Sequence, residues 1–271
     1  MWIPKHFGNK STPLVVPPHY QGPGEPRGVF CVQKEEDSMI RTAIMIDGAF
    51  YRRRAYHFWG EKPPEQRAAE LYNYCKQHII KNGHEPDRMS LYRIFYYDAQ
   101  PSSRRIFHPL LQRTVDLGKS DTFKWSNDFY QELRHQHKFA LRLGYLASEQ
   151  AFYTLREKSL KRLMNRSLTV DQLTEADFTL EIKQKSVDMM IGVDISSVAF
   201  KKQVDRIILI AGDSDFVPAA KQARREGVDF ILDPMRKDIK PDLFEHIDGI
   251  RTNAPHERAG DTEDFRDGSS Q

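Results

Sequence analysis

Apolar residues gather along this chain in five short runs, with stretches of helix-like spacing between them. The runs are Thr42 to Gly48, Ser90 to Tyr97, Ala140 to Leu146, Ile207 to Ile210 and Val228 to Leu232. Two of them, Ala43-Ile44-Met45-Ile46 and Ile207-Ile208-Leu209-Ile210, are continuous rather than alternating, the form of strands covered on both faces in a parallel sheet. Ser90 to Tyr97 is aromatic and β-branched, which suits a pleated, half-buried surface. Helices are predicted from Pro64 to Asn82 with Gly83 closing, from Asn127 to His137, from Phe216 to Glu226 with Gly227 closing, and from Pro241 to Ile247. A further helix opens near Asp188, with apolar positions Val187, Met190, Ile191, Ile195, Val198 and Ala199. This β-α alternation predicts an α/β, Rossmann-like doubly wound domain with a mostly parallel sheet of about five strands and right-handed crossovers.

The flanks read differently. Residues 1–38 carry Pro13, Pro17, Pro18, Pro23 and Pro26 with several glycines, unsuited to helix or sheet, and are expected to be a disordered leader. Met39 stands directly before the first strand and is the expected natural start. Residues 148–183 interrupt the alternation and are expected to form an arm, with helical spacing from Phe152 to Arg166; charged and small residues from Asn253 onward predict a loose tail.

With 271 residues, 39% hydrophobic and 29% charged, the chain can bury one good-sized core. The net charge of +3 is too small to imply a nucleic-acid partner by itself, so such a partner must rest on local basic clusters. Cys31 and Cys75 make neither a disulfide framework nor a zinc site, which fits a reducing cytoplasm. No stretch reaches the roughly 18 to 20 apolar residues of a membrane span, and the leader lacks a signal-peptide core, so a soluble, intracellular protein is expected.

Candidate chemistry lies at the strand ends. Ligands of doubly wound sheets bind beyond the carboxyl ends of the strands, where Asp47, Asp213 and Asp215 are expected to converge. Asp188 would join them from the first turn of its helix, near the positive helix end. Converging carboxylates relieve their repulsion by protonation or by a cation, and an oxygen-only set suits Mg²⁺ or Mn²⁺ rather than zinc. Asp194, six residues beyond Asp188 and about 600° around the helix, faces elsewhere and is second-tier, as are Asp98 at the end of the second strand and Lys185. The bland reading of each acid is a turn former or helix cap, and Asp215 before Phe216 suits a cap. His135 and His137 share no helical face and are assigned no metal.

A basic aromatic segment follows the first strand. Arg52, Arg53 and Arg54, interleaved with Tyr51, Tyr56, Phe58 and Trp59, offer phosphate-binding guanidinium groups and stacking rings near the mouth of the site, a candidate platform for single-stranded RNA. Arg156, Lys161 and Arg162 of the arm form a second basic candidate, for which a merely solvated face is the alternative.

With Ile46-Asp47-Gly48, Lys185-Ser186-Val187-Asp188 and Gly212-Asp213-Ser214-Asp215-Phe216-Val217-Pro218 in this order, the chain resembles the NYN family, LabA-like branch, of the PIN-like nucleases, over about residues 40 to 250. The resemblance implies a PIN-like three-layer sandwich and a metal-dependent ribonuclease, with Asp47, Asp188, Asp213 and Asp215 in the acidic site. Asp194 matches a second acid often present in the family's helix. It further implies RNA, single-stranded or tRNA-like, as partner, and a homodimer, since PIN-like proteins often pair. Ala49 departs from the family, which commonly carries a polar residue there, and the arm is longer than expected. On this reading Asp47, Asp188 and Asp213 hold one or two Mg²⁺ or Mn²⁺ ions for phosphodiester hydrolysis, Asp215 assists, and Lys185 offsets charge near the scissile phosphate. A haloacid dehalogenase phosphatase would need a second acid two residues after Asp47, where Ala49 stands, and a Toprim nuclease would need glutamate in place of Asp47. A non-catalytic RNA-binding module of the same fold is the rival from another class. Gly22-x-Gly24 precedes the first strand rather than following it, so dinucleotide binding is not supported.

Overall fold

The computed structural model describes residues 39–80 and 89–256. Residues 1–38, 81–88 and 257–271 lie outside these, and with them the expectations of a disordered leader, of Gly83 closing a helix, and of most of the loose tail.

The first crossover runs from β1 (Ile40–Asp47) through α1 (Gly48–Trp59) and α2 (Pro64–Ile80) to β2 (Met89–Ala99). A hairpin of β3 (Arg105–His108) and β4 (Arg113–Asp116) precedes α3 (Asp121–His135) and β5 (Phe139–Leu146). The arm consists of β6 (Phe152–Leu155), α4 (Glu157–Met164) and β7 (Phe178–Glu181), and it returns as the edge strand β8 (Gln184–Lys185). Then follow α5 (Val187–Phe200), β9 (Arg206–Ile210), α6 (Val217–Arg225), β10 (Asp229–Asp233), α7 (Pro241–Phe244) and β11 (Gly249–Ile250).

The central sheet has the order β11-β10-β9-β1-β2-β5-β8. All neighbours in it are parallel except β5 and β8. The mostly parallel α/β architecture read from the sequence is therefore present, with β8 and β11 added at the edges. Each is two residues long, too short for hydrophobic periodicity to register. The two faces of β1 divide the core: Ile44 and Ile46 pack with α1, α2 and α3, while Ala43 and Met45 pack with α5 and α6. Helices thus cover both faces of the sheet, giving three layers.

Four local expectations change. Phe152–Leu155 is a strand paired with Phe178–Glu181, not the start of a helix, because its β-branched and aromatic residues find a cross-strand partner 20-odd residues on. The helix expected from Asn127 begins earlier, at Asp121, where the Ser120 hydroxyl caps the Phe123 N–H at 3.2 Å. The last helix is only Pro241–Phe244. Ala254 is buried and its carbonyl accepts from Arg236 Nε at 3.2 Å, so the chain just after residue 252 packs rather than hanging loose. The arm is tied to the β3–β4 hairpin by the buried His108, whose ring lies 4.3 Å from that of Tyr153 and 5.2 Å from that of Phe178.

Two features set up the edge of the sheet. Helix α5 is apolar around most of its circumference, as its sequence Val-Asp-Met-Met-Ile-Gly-Val-Asp-Ile shows; Val187, Ile191 and Ile195 enter the core while Met189, Val193 and Phe200 stay exposed on one face. Gly48 starts α1 hard against β2: a Cβ there would lie 2.6 Å from Tyr96 Cζ and from the Tyr97 carbonyl oxygen. Gly48→Ala is expected to destabilise the protein by about 1–3 kcal/mol, because backbone must move to admit the methyl group, with chemical denaturation as the measurement.

Candidate active site

From β1 the chain moves to β2 and β5, then returns to build β9, β10 and β11 on the other side. The switch falls between β1 and β9, and a crevice is expected where their carboxyl ends diverge. Ile46 pairs in register with Ile210, so Asp47 and the Ala211-Gly212-Asp213 segment leave neighbouring strands side by side. Gly212 makes the close passage possible. A Cβ there would lie 2.5 Å from Phe50 Cε2, so the Phe50 ring crosses the glycine and holds the β1–α1 turn against the β9 loop.

Asp47 is also the N-cap of α1, its Oδ1 accepting from the Phe50 N–H at 3.1 Å. Burial pushes its carboxyl up to about 6; the Phe50 N–H opposes this, Asp188 adds to it, the Arg53 guanidinium opposes it, and Asp98 adds again. Asp213 caps the turn Ser214–Phe216 by accepting from the Asp215 N–H at 3.3 Å, and both acids are exposed. Asp188 enters from the other side. Ser186 adopts a left-handed conformation, φ 71°, that turns the edge strand β8 into α5 and puts Asp188 in its first turn. Its carboxyl is raised by partial burial and then by the charges of Asp213 and Asp215. The four acids expected to converge are thus brought into electrostatic contact from three separate segments. Asp47 and Asp213 also have structural work as caps, so the two readings are not exclusive; Asp215 does not cap the helix that follows, whose N-cap position is Phe216.

The second-tier residues separate from this group. Asp98 is buried and ion-paired with Arg52; its Oδ1 also accepts from Arg52 Nη2 at 3.2 Å and from the Ala99 N–H at 2.8 Å, and its Oδ2 from the Tyr96 hydroxyl at 3.0 Å. Asp194 accepts from the Tyr97 hydroxyl at 2.9 Å and from Arg142 Nε at 3.0 Å. Tyr97 is the register partner of Asp47, so Asp194 braces the strand that flanks the site. Lys185 is exposed on the edge strand β8, three strands from β1.

The basic segment is the helix α1, with Phe50, Tyr51 and Ala55 in the core. Its three arginines point to different places. Arg52 goes to Asp98; Arg54 Nε and Nη2 donate to the Met235 carbonyl at 2.9 and 2.7 Å; Arg53 is exposed on the side that influences Asp47. Tyr56, 59% exposed, lines a groove of about 510 Å³ with Arg52, Lys62, Arg67 and Trp125. In the arm, Lys161 pairs with Glu157 and Arg156 Nε donates to the Phe178 carbonyl at 3.4 Å, while Arg162 acts on Asp177.

Sequence reasoning missed two lysines. Lys237 runs along Gly212, its Cδ 3.2 Å from where a Cβ would stand, and Lys240 Nζ donates to Ser214 Oγ at 3.3 Å. The only signal available was their position just after the fifth strand, which is adjacent to the fourth in the sheet.

Among the described residues no three acid, histidine or cysteine side chains close on one point as a ready cage for an ion. The donor set nevertheless fits a hard cation. Mg²⁺ retains several waters and is held through one or two carboxylates together with substrate phosphate, and Asp47 and Asp188 are already raised, by burial first and then by neighbouring carboxylates. No described helix is long and apolar enough to cross a membrane.

No curated protein matches the chain. A crystal structure of a Vibrio parahaemolyticus protein of unknown function superposes with a TM-score of 0.41 and 14% identity, over 78% of this chain and 91% of that one. The NYN domain family matches residues 41–239, the span that contains all of β1 but Ile40, α5, the β9 loop and all four acids. The chain belongs to the NYN domain family, within the PIN-like nuclease superfamily.

Proposed function

We propose that this protein is a metal-dependent ribonuclease of the LabA-like branch, an endonuclease acting on single-stranded or structured RNA at Asp47, Asp188, Asp213 and Asp215. The observation that carries this reading is the gathering of acids from three segments at the switch point of the sheet, where Asp188 adds to the elevation of Asp47, and Asp213 and Asp215 add to that of Asp188. Like charges held together without a compensating cation cost stability, and a divalent ion removes that cost. When bound, Mg²⁺ or Mn²⁺ supplies Lewis-acid charge to the scissile phosphate and to the attacking water. The four carboxylates would hold the ion, Asp194 steadies the flanking strand through Tyr97, and Arg53 would attract the backbone of the substrate toward the crevice. Water adds to phosphorus as the P–O bond to the leaving ribose oxygen breaks, and the proton released by the water returns to solvent or the leaving oxygen. The homodimer expected from the sequence stays within this proposal, supported by the apolar face of Met189, Val193 and Phe200 on α5.

The test is a time course on labelled single-stranded RNA and DNA with Mn²⁺, Mg²⁺ or EDTA, comparing the wild type with Asp213→Asn. Cleavage that requires metal and falls at least about 100-fold in the variant is the expected result. A non-catalytic RNA-binding module is the second reading, favoured by the absence of a closed three-ligand group among the described residues. RNA retention without cleavage under any metal would select it.

A further inference from the structure

The segment after β10 holds the one consecutive pair of left-handed non-glycine residues among the described residues. Met235 and Arg236, neither of them glycine, adopt consecutive left-handed conformations, φ 46° and 64°, and the Lys237 N–H closes the turn on the Pro234 carbonyl at 2.8 Å. This is the mirror-image turn for which Asn and Gly are the natural residues. It is held from several directions. The fully buried Asp233 accepts from the Met235 N–H at 2.8 Å, and its other oxygen meets His78 Nε2 at 2.8 Å and the Tyr74 hydroxyl. Arg54 clamps the Met235 carbonyl with two N–H groups, and Arg236 is fastened to the Ala254 carbonyl.

Such strain persists only where the surroundings over-determine it, and it gathers at functional sites. What the turn delivers is Lys237, laid along Gly212, and three residues later Lys240, bonded to Ser214. The two lysines therefore brace the loop that carries Asp213 and Asp215. Both are exposed, and among the described residues neither takes part in an ion pair. A solvated surface lysine needs no buried carboxylate and no strained turn to hold it in place. A cation that must meet phosphate beside an acidic loop does.

We propose that Lys237 and Lys240 form a backbone-phosphate subsite, gripping the phosphodiester next to the scissile one on an RNA strand crossing the crevice. This rests on the nuclease reading above and adds to it the course of the substrate: the strand runs over the β9–β10 side of the acids as well as past Arg53. Asp233 and Arg54 are positioning residues for the subsite, since they act through the turn and touch no substrate.

The experiment uses the full chain with labelled single-stranded RNA. Binding is read by fluorescence anisotropy in EDTA over a salt series, and cleavage kinetics are read in Mn²⁺. Variants are Lys237→Ala, Lys240→Ala, their combination, Lys237→Arg, and Lys201→Ala at the far end of α5, about 20 Å along the helix from Asp188. The double variant is expected to bind at least about 10-fold more weakly at low salt, with the log–log salt slope smaller by about 1.4, two single-strand phosphate contacts. KM rises while kcat changes less than about 3-fold, Lys237→Arg restores most of the loss, and Lys201→Ala matches the wild type. Wild-type affinity, slope and KM in the double variant, with a cleaving wild type, overturn the subsite and leave the nuclease standing. A wild type that binds but does not cleave, with the double variant weakened as above, supports the phosphate contact and removes the catalytic reading. A wild type that neither binds nor cleaves RNA overturns both.

Discussion

Asp47→Asn is expected to abolish metal-dependent cleavage and, in the same protein, to raise the melting temperature of the metal-free form above pH 6. The folded carboxyl titrates near 6 against an ordinary 3.8, burial being the main cause. Between these values the unfolded chain is ionised while the folded chain still holds its proton. The unfolded state therefore binds fewer protons, stability falls as pH rises through this window, and the full penalty persists above it. Asparagine removes the charge and keeps a side-chain oxygen for the Phe50 N–H, so the helix cap survives. The gain should not exceed about 3 kcal/mol, the free-energy equivalent of a two-unit shift, and amounts to several degrees in a domain of this size. It should shrink to a small remainder near pH 4 and vanish only well below 3.8, where the carboxyl is protonated in the folded and the unfolded chain alike. Cleavage should fall at least about 100-fold at every pH, because the ion loses a ligand. Thermal melts in EDTA at pH 4 and 7.5, paired with cleavage assays, decide it; equal melting curves at both pH values would show that no charge is being buried at Asp47. Adding Mg²⁺ should stabilise the wild type more than the variant, since only ligand bound preferentially to the folded state contributes.

Arg52→Ala should cost about 3–5 kcal/mol of folding stability, whereas Arg53→Ala should stay within about 0.5 kcal/mol and weaken RNA binding instead. The two arginines are neighbours in a run of three, yet Arg52 is the ion-pair partner of a fully buried carboxylate. Removing the guanidinium takes the ion-pair partner from a carboxyl buried beside Tyr96, and neutral donors such as the Tyr96 hydroxyl and the Ala99 N–H do not replace its charge. Arg53 has no such duty. Its charge opposes the elevation of Asp47, so its loss should move the Asp47 titration, and the rising limb of the pH–rate profile, to higher pH. Urea denaturation separates the stability effects, and anisotropy of labelled RNA the binding effects. A stable Arg52→Ala protein with weakened RNA affinity would place Arg52 on the substrate rather than on Asp98.

Much of the architecture was legible because the signals are local. Continuous aliphatic runs such as Ile207 to Ile210 mark strands covered on both sides, and Asp at their ends can be read without knowing what lies beside them. The misplaced elements share a different property. Phe152–Leu155 becomes a strand only because Phe178–Glu181 comes back to pair with it, and β8 and β11 exist only as additions to an edge already formed. Their residues carry too little periodicity to announce a partner that lies far along the chain.

The sequence by itself determined the α/β alternation, the mostly parallel sheet and the presence of Asp47 and Asp213 just where β1 and β9 end, because burial on two faces and termination at a turn both leave marks within ten residues. The tertiary structure alone decided how the charged residues divide. Asp98 and Arg52 cancel each other in the core, Arg54 goes to the Met235 carbonyl, Asp194 braces Tyr97, and Lys237 and Lys240 reach the acidic loop from a strand that follows it. In the chain these residues are equally polar and equally plausible as surface groups. Which of them meets a buried opposite charge, a carbonyl or open solvent depends on strand order and crossover, and those are set by packing between segments distant in sequence.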